Sequence, residues 1–117
     1  MDINKSGDVS MFKIHKYTNQ IDLTRGNTMR TEIGIETDEG EYVPESGDVI
    51  TFSVKKKPNY NNPIIEKIIS NDTMLLELSP EDTKNLEKGS YDYDVTISLE
   101  TGDVYTFIEG KLVLKGM

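Results

Sequence analysis

Carboxylates are abundant among the side chains of this chain that could do chemistry, since 21 of its 117 residues are Asp or Glu. Two carboxyl groups held about 5 to 10 Å apart across a cleft can hydrolyse a glycosidic bond. Asp38, Glu39 and Glu41 fall in a turn, whereas Asp92 and Asp94 alternate with apolar residues. Acids in such positions normally face solvent. We therefore expect no catalytic pair and no enzyme activity, and a small hydrolase is only the third hypothesis.

Other catalytic and metal-binding side chains are scarce. The chain has no Cys and a single His, His15, which excludes thiol nucleophiles, disulfides and zinc sites built from thiolates or clustered imidazoles. No Ser stands in a Gly-x-Ser-x-Gly motif, and no glycine-rich phosphate loop leads from a strand into a helix. The spaced acidic loop of an EF-hand is missing too. We therefore expect neither a cofactor nor a metal ion.

Three consecutive lysines, Lys55, Lys56 and Lys57, are followed closely by Tyr60. Such a basic run lies in a solvated loop or binds an anionic polymer or an acidic protein surface. Nucleic acid is a poor partner, because the net charge of −8 and the pI of about 4.6 have the wrong sign for neutralising phosphates. The solvated loop is the plainer interpretation. The functional one is a protein contact, including one between copies of this acidic chain.

The residues that must position these groups follow a β pattern. From Tyr91 to Leu99 apolar residues alternate with polar ones without a slip, which predicts a half-buried strand of an antiparallel sheet. A turn then leads into a hairpin partner at Val104–Leu114, in which Gly110 marks a predicted bulge that exchanges the two faces.

Similar but shorter patterns recur every 10 to 15 residues, and they predict about seven strands in total. The further strands are expected at Phe12–Ile14, Ile21–Leu23, Met29–Glu36, Ile50–Val54, Ile64–Ile69 and Met74–Leu78. The last two are expected to pair with each other through a turn. Residues 1–10 are predicted to be a flexible arm, and residues 11–117 to form one all-β antiparallel sandwich.

One segment breaks the β pattern. Ser79 followed by Pro80, Glu81 and Asp82 combines a capping residue, a proline in the first helical turn and acids at the positive helix end. This predicts a short helix over about residues 80–87, which Gly89 ends. The lysine run opens a stretch without periodicity, Lys55–Pro63, which is expected to be a long exposed loop.

A short internal repeat is also present. Gly47–Phe52 and Gly102–Phe107 share the pattern Gly-Asp-Val, then a β-branched or aromatic residue, then Thr-Phe. A duplication is one interpretation. The simpler one is that Gly-Asp closes a turn twice and that a strand follows it each time.

The region around Leu86, Gly89 and Tyr91 resembles the tyrosine corner of immunoglobulin-like sandwiches, in which a Tyr at the start of a late strand returns its hydroxyl to upstream backbone. This block and the hairpin Gly102–Gly110 resemble small structural proteins of phage and prophage tail modules, with the layout of the N-terminal domain of upper baseplate proteins. The likeness extends over about Gly26–Leu114, and its sharpest residues are Leu78, Pro80, Asp82, Thr83, Leu86, Gly89, Tyr91, Tyr93 and Asp94.

The resemblance implies an immunoglobulin-like sandwich and a non-enzymatic virion protein, assembled in the bacterial cytoplasm as part of a tail or baseplate. It implies other tail or baseplate proteins as partners, together with homo-oligomers, and it supplies no active-site residues. No apolar run reaches the roughly 20 residues that cross a bilayer, so no membrane partner is expected. The alternative is a carbohydrate-binding module for cell-wall glycan, with Tyr42, Tyr60 or Tyr105 as its aromatic platform.

Overall fold

The computed structural model describes residues 12–14, 19–37, 40–58 and 60–116. The predicted arm at residues 1–10 and the lone His15 lie outside this part of the chain. The described residues form ten strands and one helix, which confirms an all-β fold. The elements are β1 (Phe12–Ile14), β2 (Ile21–Thr24), β3 (Met29–Glu32), β4 (Ile35–Thr37), β5 (Gly40–Tyr42), β6 (Val49–Lys55), β7 (Ile65–Ile69), β8 (Leu75–Leu78), α1 (Pro80–Thr83), β9 (Gly89–Ser98) and β10 (Val104–Lys115).

Six strands form the main sheet, in the order β1-β2-β10-β9-β6-β7, while β3 pairs with β8 and β4 with β5 in two small sheets. The expectation of purely antiparallel pairing is wrong at one place, because β2 runs parallel to β10, with Ile21 opposite Leu112 and Leu23 opposite Leu114. Gly110 permits this pairing, since it lies where β2 approaches β10 and a side chain there would meet the backbone of Asn19.

The strand β9 lies inside the main sheet, with β6 on one side and β10 on the other. Its alternation is as the sequence predicts: Tyr91, Tyr93, Val95 and Ile97 are all buried, and the residues between them are partly accessible. The hairpin with β10 is also confirmed, with Ser98 opposite Val104. One face of β9 therefore belongs to the core and the other faces outward.

The bulge in β10 is not at Gly110. The register with β9 shifts between Thr106 and Ile108, so that Phe107 is the additional residue. The shift brings both Tyr105, opposite Ile97, and Ile108, opposite Val95, to the core side of the sheet. This explains why apolar residues occupy both parities of this strand in the sequence.

Two predicted strand pairings differ from the structure. β7 pairs with β6 in the main sheet and β8 pairs with β3, so these consecutive strands do not form a hairpin. The turn between them carries the chain across to the small sheet, with Met74 donating its N–H to Ser70 and adopting a positive φ of 52°. The strand predicted at Met29–Glu36 is likewise divided, because its second half pairs with β5.

The helix is shorter than the predicted 80–87. Thr83, its last residue, is fully buried, and its hydroxyl accepts a hydrogen bond of 2.9 Å from the Gly26 N–H. The chain then turns, with Leu86 donating to the Thr83 carbonyl and accepting from the Arg25 guanidinium. The helix therefore ends where its side chain is fastened to the loop before β3.

The buried apolar side chains form one core between the main sheet and the two small sheets. Phe52, Tyr93 and Leu112 come from the main sheet, and Met29 and Leu76 come from the β3–β8 pair. One face of every long strand is thus committed to packing. The surfaces available for function are the opposite face of the main sheet and the open edge of the core around Tyr105.

Candidate functional site

A shallow groove crosses the outward face of the main sheet where β6 enters the following loop; we call it the polar groove. Its volume is about 520 Å³, and its polar lining includes Lys55, Lys57, Tyr60, Asp92, Asp94 and Lys111. The strand alternation that buries Tyr91, Tyr93 and Val95 turns the residues between them, Asp92 and Asp94, outward into this groove. The structure therefore brings three of the four predicted contact residues together.

Lys56, the fourth predicted contact residue, points to the other side. Its ammonium lies 4.4 Å from the centre of the Tyr91 ring, because neighbouring strand residues alternate between faces. A cation over an aromatic face is attracted by the ring quadrupole. The lysine run therefore does not form one positive patch.

Asp92 organises the charges in the polar groove. It accepts hydrogen bonds from the Tyr60 hydroxyl and the Lys111 ammonium, while Lys55 lies 3.7 Å from the Asp94 carboxylate. The bonds from Lys111 and Tyr60 hold the pKa of Asp92 below its usual range, and the bond to Asp92 raises the pKa of Tyr60. Asp92 thus stays ionised at neutral pH and is poorly suited to act as a general acid.

Tyr91 fastens the start of β9 to the segment before it. Its hydroxyl donates a hydrogen bond of 2.7 Å to the Glu87 carbonyl oxygen, four residues upstream. Burial, followed by the nearby Glu87 charge, raises the pKa of Tyr91. Leu86 packs partly buried against the core, and Gly89 adopts a φ of +142°, a conformation that L residues rarely adopt. These contacts position the backbone beneath the polar groove and carry no reactive group.

Beyond the polar groove lies a region of the outward face where apolar and hydroxyl side chains stand opposite one another; we call this region the outer patch. Val49 and Val104 both lie opposite Ser98, and Thr51 and Thr106 both lie opposite Thr96. Ile68, on the edge strand β7, lies opposite Thr51 on the same face.

Three of the apolar residues of the outer patch are strongly accessible. Ile68 is 68% exposed, Val104 is 61% exposed and Val49 is 44% exposed. Exposed apolar surface that hydroxyl groups border is typical of a site for protein contacts. The sequence analysis missed this patch, although the repeated Gly-Asp-Val pattern places Val49 and Val104 at matching positions beside β9.

A second concave surface, the aromatic groove, lies near the β4–β5 hairpin. Its volume is about 270 Å³ and its lining is almost entirely apolar, with Ile35, Tyr42, Leu99, Tyr105 and Phe107 among its residues. Two of the three tyrosines predicted for a glycan platform therefore meet here. Tyr60, the third, lies in the polar groove.

Asp48 joins three turns beside the aromatic groove. Its carboxylate accepts hydrogen bonds from the Tyr42 hydroxyl at 2.5 Å, the Glu45 N–H at 3.0 Å and the Glu100 N–H at 3.2 Å. Asn71 donates to the carbonyl oxygens of Glu45 and Asp48 from the third turn. The bond from Tyr42 and the two backbone bonds lower the pKa of Asp48, and the same carboxylate raises the pKa of Tyr42 to about 12.

No protein-family model, curated protein or solved structure matches this chain. Among the described residues no group of three or more His, Asp or Glu side chains is placed to hold a metal ion. No helix in that part of the chain is long and apolar enough to cross a membrane. The functional argument therefore depends on the surfaces themselves.

Proposed function

We propose that this protein is a non-enzymatic structural module of a phage or prophage tail or baseplate, acting through protein–protein contacts. The proposal combines the resemblance of Leu78–Asp94 and Gly102–Gly110 to tail-module proteins with the surfaces of the sheet. Its partners are other tail or baseplate proteins and further copies of the chain. Its place is the virion, after assembly in the host cytoplasm.

The order of the strands supports the immunoglobulin-like part of the proposal. In the variable-type immunoglobulin sandwich, strands G, F, C and C′ follow one another in one sheet, and B pairs with E in the other. The order β10-β9-β6-β7 and the pair β3-β8 agree with that arrangement. Tyr91 lies at the start of the strand corresponding to F, with its hydroxyl on upstream backbone, which is where a tyrosine corner lies.

The outer patch is the observation that carries the assembly function. The chain is 29% charged, yet the cross-strand neighbours of Val49 and Val104 on the outward face are Ser and Thr, and Ile68 lies opposite Thr51. Exposing two or more large apolar side chains on one sheet face is costly in water, and covering them with another protein recovers that free energy. The occupant we propose is an uncharged surface of a neighbouring tail protein, because a charged surface would lose its hydration there without gaining a partner.

Light scattering on mixtures with each product of the flanking genes tests this function. The intact chain should form a stable complex with at least one of them. The variants Val104→Glu and Ile68→Glu should lose the complex, whereas Val43→Glu, which changes a valine 72% exposed at another place, should keep it. A chain that forms no complex with any of these proteins would overturn the proposal.

A carbohydrate-binding module is the second candidate, since Tyr42 and Tyr105 both line the aromatic groove and Tyr105 is 56% exposed. Aromatic rings at a partly wet surface can pack against the apolar faces of sugars while a hydroxyl stays solvated. A glycan array probed with the intact chain and with Tyr105→Ala tests this candidate. Signal that the substitution removes would support it, and an array without signal would dispose of it.

A further inference from the structure

Charged side chains are distributed unevenly along the direction of the strands. At the end of the molecule where β9 begins lies a group that we call the basic end, consisting of Arg25, Lys56, Lys88 and Lys115. The Lys56 ammonium lies 3.7 Å from where a β-carbon on Gly89 would stand, and the Lys88 side chain lies 3.7 Å from the same position on Gly116. The Arg25 N–H donates to the Lys115 carbonyl at 3.0 Å.

Acids near the basic end do not cancel it. Glu81 pairs with Lys84, Asp82 with Lys67 and Asp92 with Lys111, so these carboxylates are already occupied by other lysines. Glu87 remains as the adjacent acid, and it is exposed. Lys88 and Lys115 are exposed as well, and within the part of the chain that the structure describes they form no ion pair. The basic end therefore presents net positive charge to solvent.

At the opposite end, the charged residues that the structure describes are all acids. The three turns that Asp48 joins present Glu45, Asp72, Glu100 and Asp103, all exposed, and we call them the acidic end. The ten residues of β9 separate the two ends by about 30 Å at the usual rise per residue. That separation exceeds the screening length of about 10 Å at 0.1 M salt, so each end acts on its surroundings independently.

We propose that copies of this chain associate head to tail, with the basic end of one copy against the acidic end of the next. The proposal rests on the proposed assembly function and names the partner at these two ends as a second copy. Identical copies with a net charge of −8 repel one another in most orientations. The end-to-end orientation is the one in which opposite charges face each other over several side chains. Such a contact is heterologous, so it extends into a row or closes into a ring.

Two charge-reversal variants isolate the two ends. Lys88→Glu with Lys115→Glu removes the net positive charge of the basic end, and Glu45→Lys with Asp72→Lys cancels the negative charge of the acidic end, so neither altered end attracts the other strongly. All four side chains are exposed. Glu66→Lys with Glu109→Lys is the matched control, because it changes the net charge as much as the acidic-end variant does but at exposed positions in the middle of the sheet.

Sedimentation velocity at about 50 mM and about 500 mM NaCl gives the readout. The intact chain and the control should show a sedimentation coefficient that rises with concentration at low salt and no longer does so at high salt. Each end variant alone should stay monomeric. In an equimolar mixture at the higher salt concentration, both variants should stay monomeric.

The low-salt mixture decides the polarity of the contact. The basic-end variant keeps a native acidic end and the acidic-end variant keeps a native basic end, so the mixture should form a dimer and stop there. A monomeric intact chain at low salt, or end variants that self-associate as the intact chain does, would overturn the proposal. If it fails while the complex with a tail protein still depends on Val104, the assembly function stands and only the head-to-tail contact is lost.

Discussion

The carbonyl oxygen of Asn19 lies 2.7 Å from the place that a β-carbon on Gly110 would occupy. The same oxygen accepts a hydrogen bond from the hydroxyl of Tyr93, whose ring would lie 3.1 Å from that β-carbon. This approach fixes where β2 begins to run beside β10. The parallel strand of the main sheet therefore depends on a residue without a side chain in the middle of a long strand.

The first prediction concerns this close approach. Gly110→Ala should lower the free energy of unfolding by about 1 to 3 kcal/mol, because the added methyl group would overlap the Asn19 carbonyl and force the backbone of β2 or β10 to shift. Gly34→Ala is the control, since no atom lies within 4 Å of its β-carbon position. Urea denaturation followed by circular dichroism measures both. Equal stability of the two variants would show that β2 is free to move away from β10.

The second prediction concerns the Tyr91 hydroxyl. Tyr91→Phe removes the hydrogen bond to the Glu87 carbonyl and should cost about 0.5 to 1.5 kcal/mol of stability, while the ring keeps its place in the core. Tyr105→Phe removes a hydroxyl from an exposed side chain and should cost little. Thermal denaturation of the two variants compares them. A Tyr91→Phe protein as stable as the intact chain would mean that the hydroxyl does not secure the start of β9.

The third prediction concerns Asp82 at the start of the helix. Burial opposes its charge, but the Ser79 N–H at 2.7 Å and the Lys67 ammonium at 3.0 Å outweigh burial and lower its pKa. Asp82→Ala should therefore destabilise the protein by about 0.5 to 2 kcal/mol. Glu81→Ala, which removes a carboxylate 74% exposed, should change stability by less than about 0.5 kcal/mol. Denaturant titration of Asp82→Ala and Glu81→Ala measures both losses of stability. Equal losses would contradict the prediction.

The fourth prediction is a pH dependence that comes from Asp48. Hydrogen bonds from Tyr42 and the Glu45 N–H hold its folded pKa below the ordinary value of 3.8, so its contribution is complete above that value and is lost as pH falls through the folded pKa. The stability difference between the intact chain and Asp48→Asn should therefore shrink as pH falls from about 6 to about 2. Asp72→Asn, exposed in the neighbouring turn, serves as the control. A difference that is constant with pH would contradict the assignment.

The alternation of β9 could be predicted from the sequence because its inner face meets one continuous core. Every residue that alternates with Tyr91, Val95 and Ile97 is polar, so the period of two predicts only one choice of buried face. The same argument fails in β10, where an added residue at Phe107 changes the parity halfway along the strand. A bulge is a backbone event, and the apolar residues around it satisfy either parity.

Which distant strands pair with one another was harder to predict from the sequence. The turn before Met74 has the composition of a hairpin turn, yet it connects two different sheets, because β6 and β3 offer better partners to the strands on either side. The lysine run was identified from the sequence. That Lys56 turns towards the Tyr91 ring while Lys55 and Lys57 line the polar groove depends on where β6 ends, which the structure shows. The outer patch could not be predicted from the sequence, because Val49, Ile68 and Val104 are distant in sequence and come together only through the strand register of the sheet.

Photo-crosslinking at position 104 tests the central claim most directly. A photoreactive residue replaces Val104 on the outer patch in one variant and Val43, which is 72% exposed elsewhere, in the other. Both variants are irradiated in cells that also produce the products of the flanking genes, and the adducts are identified by mass spectrometry. The account predicts that position 104 captures a tail or baseplate protein while position 43 captures none. Equal capture at both positions, or no protein adduct at position 104, would contradict it.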